Sequence, residues 1–147
     1  MNFYTDIPEI KKDDNTFLTL GTFDGIHKGH LKIINTLITK SGNSGGRNFV
    51  VTFEPHPRLV LSKENNIKLL TSLDEKKKIF AELGIENLLV LKFSEEFAEN
   101  DYDDFIKDYI VDGIGAKHIV IGYDHKFGKN RSGDKKKLEE LGVKFHF

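Results

Sequence analysis

Five short apolar runs, each separated from the next by a helix-like pattern, constrain this chain more than any other feature. They lie at 17–21, 48–53, 87–92, 118–122 and 143–147. Each is rich in Val, Ile, Leu or Phe and nearly continuous rather than alternating, which is the mark of strands covered on both faces. Between them, Leu31, Ile34, Leu37 and Ile38 share one face of a helix. Ser72 with Glu75 forms a capping box that opens a second helix over Leu73, Ile79, Phe80 and Leu83, with Gly84 as its stop. Phe105, Ile106, Tyr109 and Ile110 mark a third helix, and Leu138 with Leu141 a short fourth. Strands alternating with helices predict an α/β domain, a Rossmann-like parallel sheet with helices on both faces. Ligands of such sheets bind beyond the carboxyl ends of the strands. The 147 residues suffice for one domain and show neither repeat nor linker. Residues 58–71 carry no clear element and are expected to form a mobile flap.

Three motifs follow strands. The first, residues 21–30, reads Gly-Thr-Phe-Asp-Gly-Ile-His-Lys-Gly-His. A strand, a glycine turn and a helix start together present free backbone N–H groups to a phosphate. His27 and His30 at that place can donate hydrogen bonds to it or carry positive charge near neutral pH. Gly21 and Gly25 permit close approach and positive φ, Gly29 leaves room at the helix start, and Asp24 is expected to bond to nearby amides of the turn. A plain βα turn with two surface histidines is the alternative. The whole pattern is too constrained for that, and reads as a nucleotide-binding site that transfers a nucleotidyl group.

The second motif, residues 52–58, is Thr-Phe-Glu-Pro-His-Pro-Arg. Pro55 and Pro57 stiffen the loop at the end of a strand. His56 is equally readable as a binding wall or as an exposed turn residue, and Arg58 offers a fork of donors suited to phosphate. The third motif, residues 121–134, combines glycines with Tyr123, Phe127, Asp124, Lys126, Lys129 and Arg131. That mixture can stack on a ring and hold anions, or make an ordinary glycine-rich loop. His125 by itself reads as structural or solvent-facing. His118 and His146 are assigned structural places in strands, and Lys135 to Lys137 a solvated helix face.

Composition narrows the classes. Net charge is −1, so attraction to nucleic acid is not indicated. With no cysteine, disulfides, thiol catalysis and thiolate zinc sites are excluded. No apolar run approaches the roughly 20 residues that span a bilayer. The polar, acid-bearing first 14 residues are unlike a signal peptide. A soluble, cytoplasmic domain is expected.

Taken together, the three motifs closely resemble the FAD synthetase (FMN adenylyltransferase) module of bacterial bifunctional riboflavin kinase/FAD synthetases. That family carries G-x-F-D-G-x-H-x-G-H, T-F-x-P-H-P and G-x-D-x-x-F-G-x-x-R-x-G-D in this order. The likeness runs from about residue 15 to 147, and 70–76 and 115–122 share it. The first motif alone identifies only the wider H-x-G-H nucleotidyltransferases of the HUP fold type.

The resemblance implies attack of the FMN phosphate on the α-phosphorus of ATP, giving FAD and pyrophosphate, with Mg²⁺ accompanying ATP and its protein ligands unknown. It assigns His27 and His30 to catalysis at the phosphates. Gly21, Thr22, Phe23, Asp24, Gly25, Gly29, Gly122, Tyr123, Asp124 and Arg131 join them in binding the nucleotide. Phe53, His56, Pro57, Arg58 and Phe127 are assigned to the flavin.

Family members continue to an I-S-S-T-x-x-R-type segment and a riboflavin kinase domain, neither of which follows here. Residues 1–147 are thus expected to be a single adenylyltransferase domain lacking its C-terminal part, ending within a core strand. The alternatives are an inactive nucleotide- or flavin-binding fragment, and an H-x-G-H enzyme that acts on another acceptor such as a pantetheine or glycerol conjugate.

Overall fold

The computed structural model describes all residues except 64 and 65. Its centre is a five-stranded, all-parallel sheet in the order β1-β4-β3-β2-β5. The strands are β1 (Asn2–Tyr4), β2 (Thr16–Leu20), β3 (Arg47–Glu54), β4 (Asn87–Lys92) and β5 (Ala116–Ile119). Every residue of β2 is buried, as are six of the eight in β3. The continuous apolar runs follow from this, because neighbouring residues face two different cores.

One core holds Phe17, Val50, Leu88 and Val90 from the sheet against Ile34 and Leu37 of α1 (Lys28–Asn43) and Phe80 of α3 (Leu73–Leu83). The other holds Leu18, Leu20, Phe49, Val51, Leu89 and Leu91. Across them pack Tyr102 and Phe105 of α5 (Tyr102–Phe105), Ile106 and Ile110 of the π-helical segment Ile106–Ile114, and Leu138 and Leu141 of α6 (Lys135–Phe145). The α/β sheet with helices on both faces is therefore as expected. The capping box at Ser72 and Glu75 is formed, and Gly84 ends α3 in the left-handed conformation at φ +94°.

Two expectations are corrected. Residues 143–147 are not a strand: α6 continues to Phe145, and His146 caps it at φ +63°. Leu138, Leu141 and Phe145 keep helical spacing toward the core they share with the π-helical segment, and that packing outweighs the β-prone composition of the last five residues. At the sheet edge β1, which no apolar run announced, pairs with β4. The 58–71 stretch is partly ordered. A short helix, α2 (Pro57–Leu61), opens it, and Leu70 and Thr71 are tied down at its end. Residues 64 and 65 of the expected flap lie outside the described residues.

Candidate functional site

The turn from β2 into α1 is strained. Phe23, Gly25 and Ile26 all have positive φ, at 50°, 79° and 36°. Two of these are not glycine, and such strain persists where the surroundings over-determine it. Here the surroundings are specific. One oxygen of Asp24 accepts from Leu70 N (2.8 Å), Thr71 N (3.0 Å) and Thr71 Oγ1 (3.3 Å), while Thr71 Oγ1 accepts from Gly25 N (3.1 Å). Asp24 therefore ties the turn to the start of α3, 46 and 47 residues away, and not to its own neighbouring amides.

His27 is the N-cap of α1. Its Nδ1 accepts from Gly29 N (3.1 Å) and His30 N (3.4 Å), so the ring proton belongs on Nε2, facing outward. Gly29 lies directly under this ring: a Cβ there would stand 3.1 Å from Cε1 of His27. The His30 ring stacks on His27 at 3.7 Å and 18°, with Phe23 at its edge. His30 Nδ1 is buried and has no hydrogen-bond partner among the described residues. Burial holds the His30 imidazole below its ordinary value, and His27 and Lys76 deepen the effect against Asp124 and Asp24. Burial thus favours the neutral ring, which can still donate a hydrogen bond.

Beneath the turn lies Lys76, which is 1% exposed and donates from Nζ to Thr22 O at 2.8 Å. Burial lowers its pKa, opposed by Glu54 and Asp24. The motif reading did not single it out. Its signal was position, since Lys76 interrupts the apolar stripe Leu73, Phe80, Leu83 of α3.

The second motif forms one wall of a cleft. Pro55 follows a cis bond from Glu54, and His56 caps α2 through Nδ1, which accepts from Arg58 N at 3.0 Å. His56 is buried rather than an exposed turn residue. Burial depresses its pKa too, with Asp24 and Glu54 acting against Lys76 and Arg58.

The opposite wall comes from the third motif, as a hairpin of β6 (Lys126–Phe127) and β7 (Gly133–Asp134). Between the walls is a cleft of about 710 Å³. Thr22, His56, Pro57 and Arg58 meet Phe93, Phe97 of α4 (Glu95–Ala98), Phe105 and Phe127 there, and Lys126, Lys129 and Arg131 also line it. It opens beyond the carboxyl ends of β3 and β4, as parallel sheets dictate.

The predicted residues are thus brought together with some changes of place. Phe53 is wholly buried and does not reach the cleft; its ring backs Phe127 at 4.8 Å. Arg131 lines the aromatic cleft and not the histidine turn. Gly122 adjoins Asp124 and Ile33 of α1, and Asp124 acts on His30, whereas Tyr123 is 96% exposed. Phe93, Phe97 and Phe105 were missed, because aromatic residues after strands read equally well as core. His125 Nε2 meets the Tyr102 hydroxyl at 3.1 Å, and exposed His118 stacks on Phe17 at 4.2 Å. Among the described residues no cluster of three His, Cys, Asp or Glu could hold a metal, and no helix is long and apolar enough to cross a membrane.

A family model described as FAD synthetase matches residues 9–147. A bifunctional riboflavin kinase/FMN adenylyltransferase of Buchnera aphidicola is 32% identical over all of this chain and 47% of its own length. The proteins of the same description from Listeria monocytogenes and Bacillus subtilis are 36% and 39% identical over 82% and 84% of this chain. They are covered over 38% and 39% of their lengths, so the chain spans less than half of these relatives. A crystal structure described as a macrolide-efflux protein from Streptococcus pneumoniae superposes with a TM-score of 0.81 at 26% identity, over 95% of this chain and 46% of that one.

Proposed function

This chain belongs to the FAD synthetase family, and we propose on that premise that it transfers AMP from ATP to FMN, giving FAD and pyrophosphate. An oxygen of the FMN phosphate attacks the α-phosphorus, and the bond from that phosphorus to the β-bridging oxygen breaks as pyrophosphate leaves. The observation that carries the reading is the junction of two dissimilar compartments. A histidine-bearing turn at a helix start adjoins an aromatic cleft, and Thr22 belongs to both. ATP phosphates would lie on the turn, with His27 and His30 donating to the oxygens that gain charge. Gly21, Thr22, Phe23, Asp24, Gly25, Gly29, Gly122, Tyr123 and Asp124 would line the nucleotide. The flavin ring would enter between Phe127 and the His56–Pro57 wall, with Arg58 and Arg131 positioned for its phosphate.

Such a displacement needs no covalent intermediate, so catalysis is positioning and charge stabilisation. Mg²⁺ would arrive on the ATP phosphates and neutralise them, since it is usually held by one or two carboxylates together with substrate phosphates. Asp124 and Asp24, the two carboxylates that act on His30, are the candidates at this turn. Residues 1–147 would form one cytoplasmic adenylyltransferase domain, normally joined to a riboflavin kinase domain. Neither nucleic acid nor a membrane is a proposed partner.

The test is to incubate the purified chain with ATP, Mg²⁺ and FMN and to follow FAD by chromatography. His30→Ala should lower the rate about 10²–10³-fold without unfolding the protein. FAD formation that is indifferent to His30→Ala would sink the assignment of the site. ATP and FMN binding without product would leave a binding module.

A further inference from the structure

Resting on the reading of the β2–α1 turn as a phosphate cradle, we propose that Lys76 is a positioning residue that pins the Thr22–Phe23 peptide with its N–H turned toward the bound anion. Lys76 is the most buried cation described, 1% exposed, and takes part in none of the ion pairs found among the described residues. Asp24 has its Oδ1 committed to Leu70 and Thr71. Glu54 influences the ammonium only at a distance. Among the described residues one of the three ammonium N–H bonds is used, to Thr22 O at 2.8 Å.

A buried charge without a contacting counter-ion is costly, and such groups persist chiefly where they have a task. The geometry shows the task. Thr22 O accepts from Lys76 Nζ and from Thr52 Oγ1 (3.3 Å), so the carbonyl is held inward from two sides. In a trans peptide the N–H points opposite to the carbonyl. The Phe23 N–H is therefore aimed away from Lys76, and it donates to no acceptor among the described residues. Thr22 lines the cleft and Lys76 does not, so this peptide lies on the open side of the ammonium, where the proposed anion would be met. The φ of +50° at Phe23 requires such an external clamp. An anion on the far side would supply the missing counter-charge through the peptide dipole. Consistent with a central position, Lys76 acts on both His30 and His56, which lie on different motifs.

The experiment compares the parent chain with Lys76→Met, which keeps the length and packing of the stem but removes the ammonium. Binding of ATP and of inorganic tripolyphosphate is measured by calorimetry, thermal midpoints by differential scanning, and the His30 and His56 titrations by NMR. The expected result is a loss of anion affinity of about 10- to 100-fold, a midpoint at or above that of the parent, and upward shifts of both imidazole titrations. Affinity within threefold of the parent overturns the proposal. So does an affinity loss that merely follows a fall in thermal midpoint, which would make Lys76 an ordinary packing residue. If the parent binds ATP yet makes no FAD, the proposed reaction fails, while weaker binding by Lys76→Met still upholds the role of Lys76. If the parent binds neither anion, the cradle and the role of Lys76 fall together.

Discussion

His27 performs a structural task at the same position where a chemical one is proposed, and the two can be separated by substitution. Its Nδ1 serves as the helix cap while Nε2 faces outward. Asparagine can take over the cap, whereas alanine cannot, at a cost of about 1 kcal/mol. His27→Ala should therefore lower the thermal midpoint by roughly 2–4 °C and His27→Asn by little, while both lose FAD synthesis. Equal stability of the two would mean that the cap bonds contribute nothing. The cap was invisible in the sequence because histidine is not among the usual N-cap residues, and the motif already had a chemical explanation. Asp24 was legible as a turn-shaping residue, but its partners at 70 and 71 were not, because no local rule links positions 46 residues apart. Phe53 shows the opposite error. A residue inside a ligand motif belongs to the core, and it acts through the ring of Phe127.

Among the elements, the β6–β7 hairpin explains the glycines of the third motif in terms of packing. Tyr102, buried and with its hydroxyl pKa raised by burial, lies against both Gly128 and Gly133. A Cβ on Gly128 would come within 2.9 Å of Tyr102 Cβ, and one on Gly133 would overlap the ring. Gly133→Ala should destabilise the protein by roughly 1–3 kcal/mol and weaken FMN binding, because the displaced hairpin carries Phe127. Chemical denaturation and a flavin fluorescence titration check the two parts. Unchanged FMN affinity in a destabilised variant would show that the hairpin does not shape the cleft. The elements most legible in the sequence were α1, α3 and β2 to β4, where period, caps and burial all agree. The helix at 135–145 was only half read, because Gly142 and the following β-prone residues imitate a stop and a strand.

At the scale of the whole molecule, burial pushes three imidazoles in one direction. His30, His56 and His125 are each depressed from 6.5, chiefly by burial. Below about pH 6.5 the unfolded chain takes up these protons before the folded one does, so folding stability must fall. The contribution is complete above pH 6.5 and is lost as the pH drops toward the folded values. Thermal midpoints at pH 8.0, 6.5 and 5.5 should stay level across the first interval and fall across the second. A flat profile to pH 5.5 would contradict the burial of these rings. Saturating ATP should reduce the fall, because a bound polyanion favours protonated His30. The parallel sheet was legible at this scale and its outer edge was not, for a three-residue strand carries too little pattern to announce itself.

That edge strand has a consequence for the order in which the protein can assemble on the ribosome. β1 emerges before the other four strands of the sheet, yet its partner is β4, and Asn2 bonds to Asn87 across 85 residues of chain. At roughly 5–20 residues per second, it waits on the order of 4–17 s for that partner to be made. This edge strand is thus among the last of the five to be secured, joining a sheet whose interior strands can already have met.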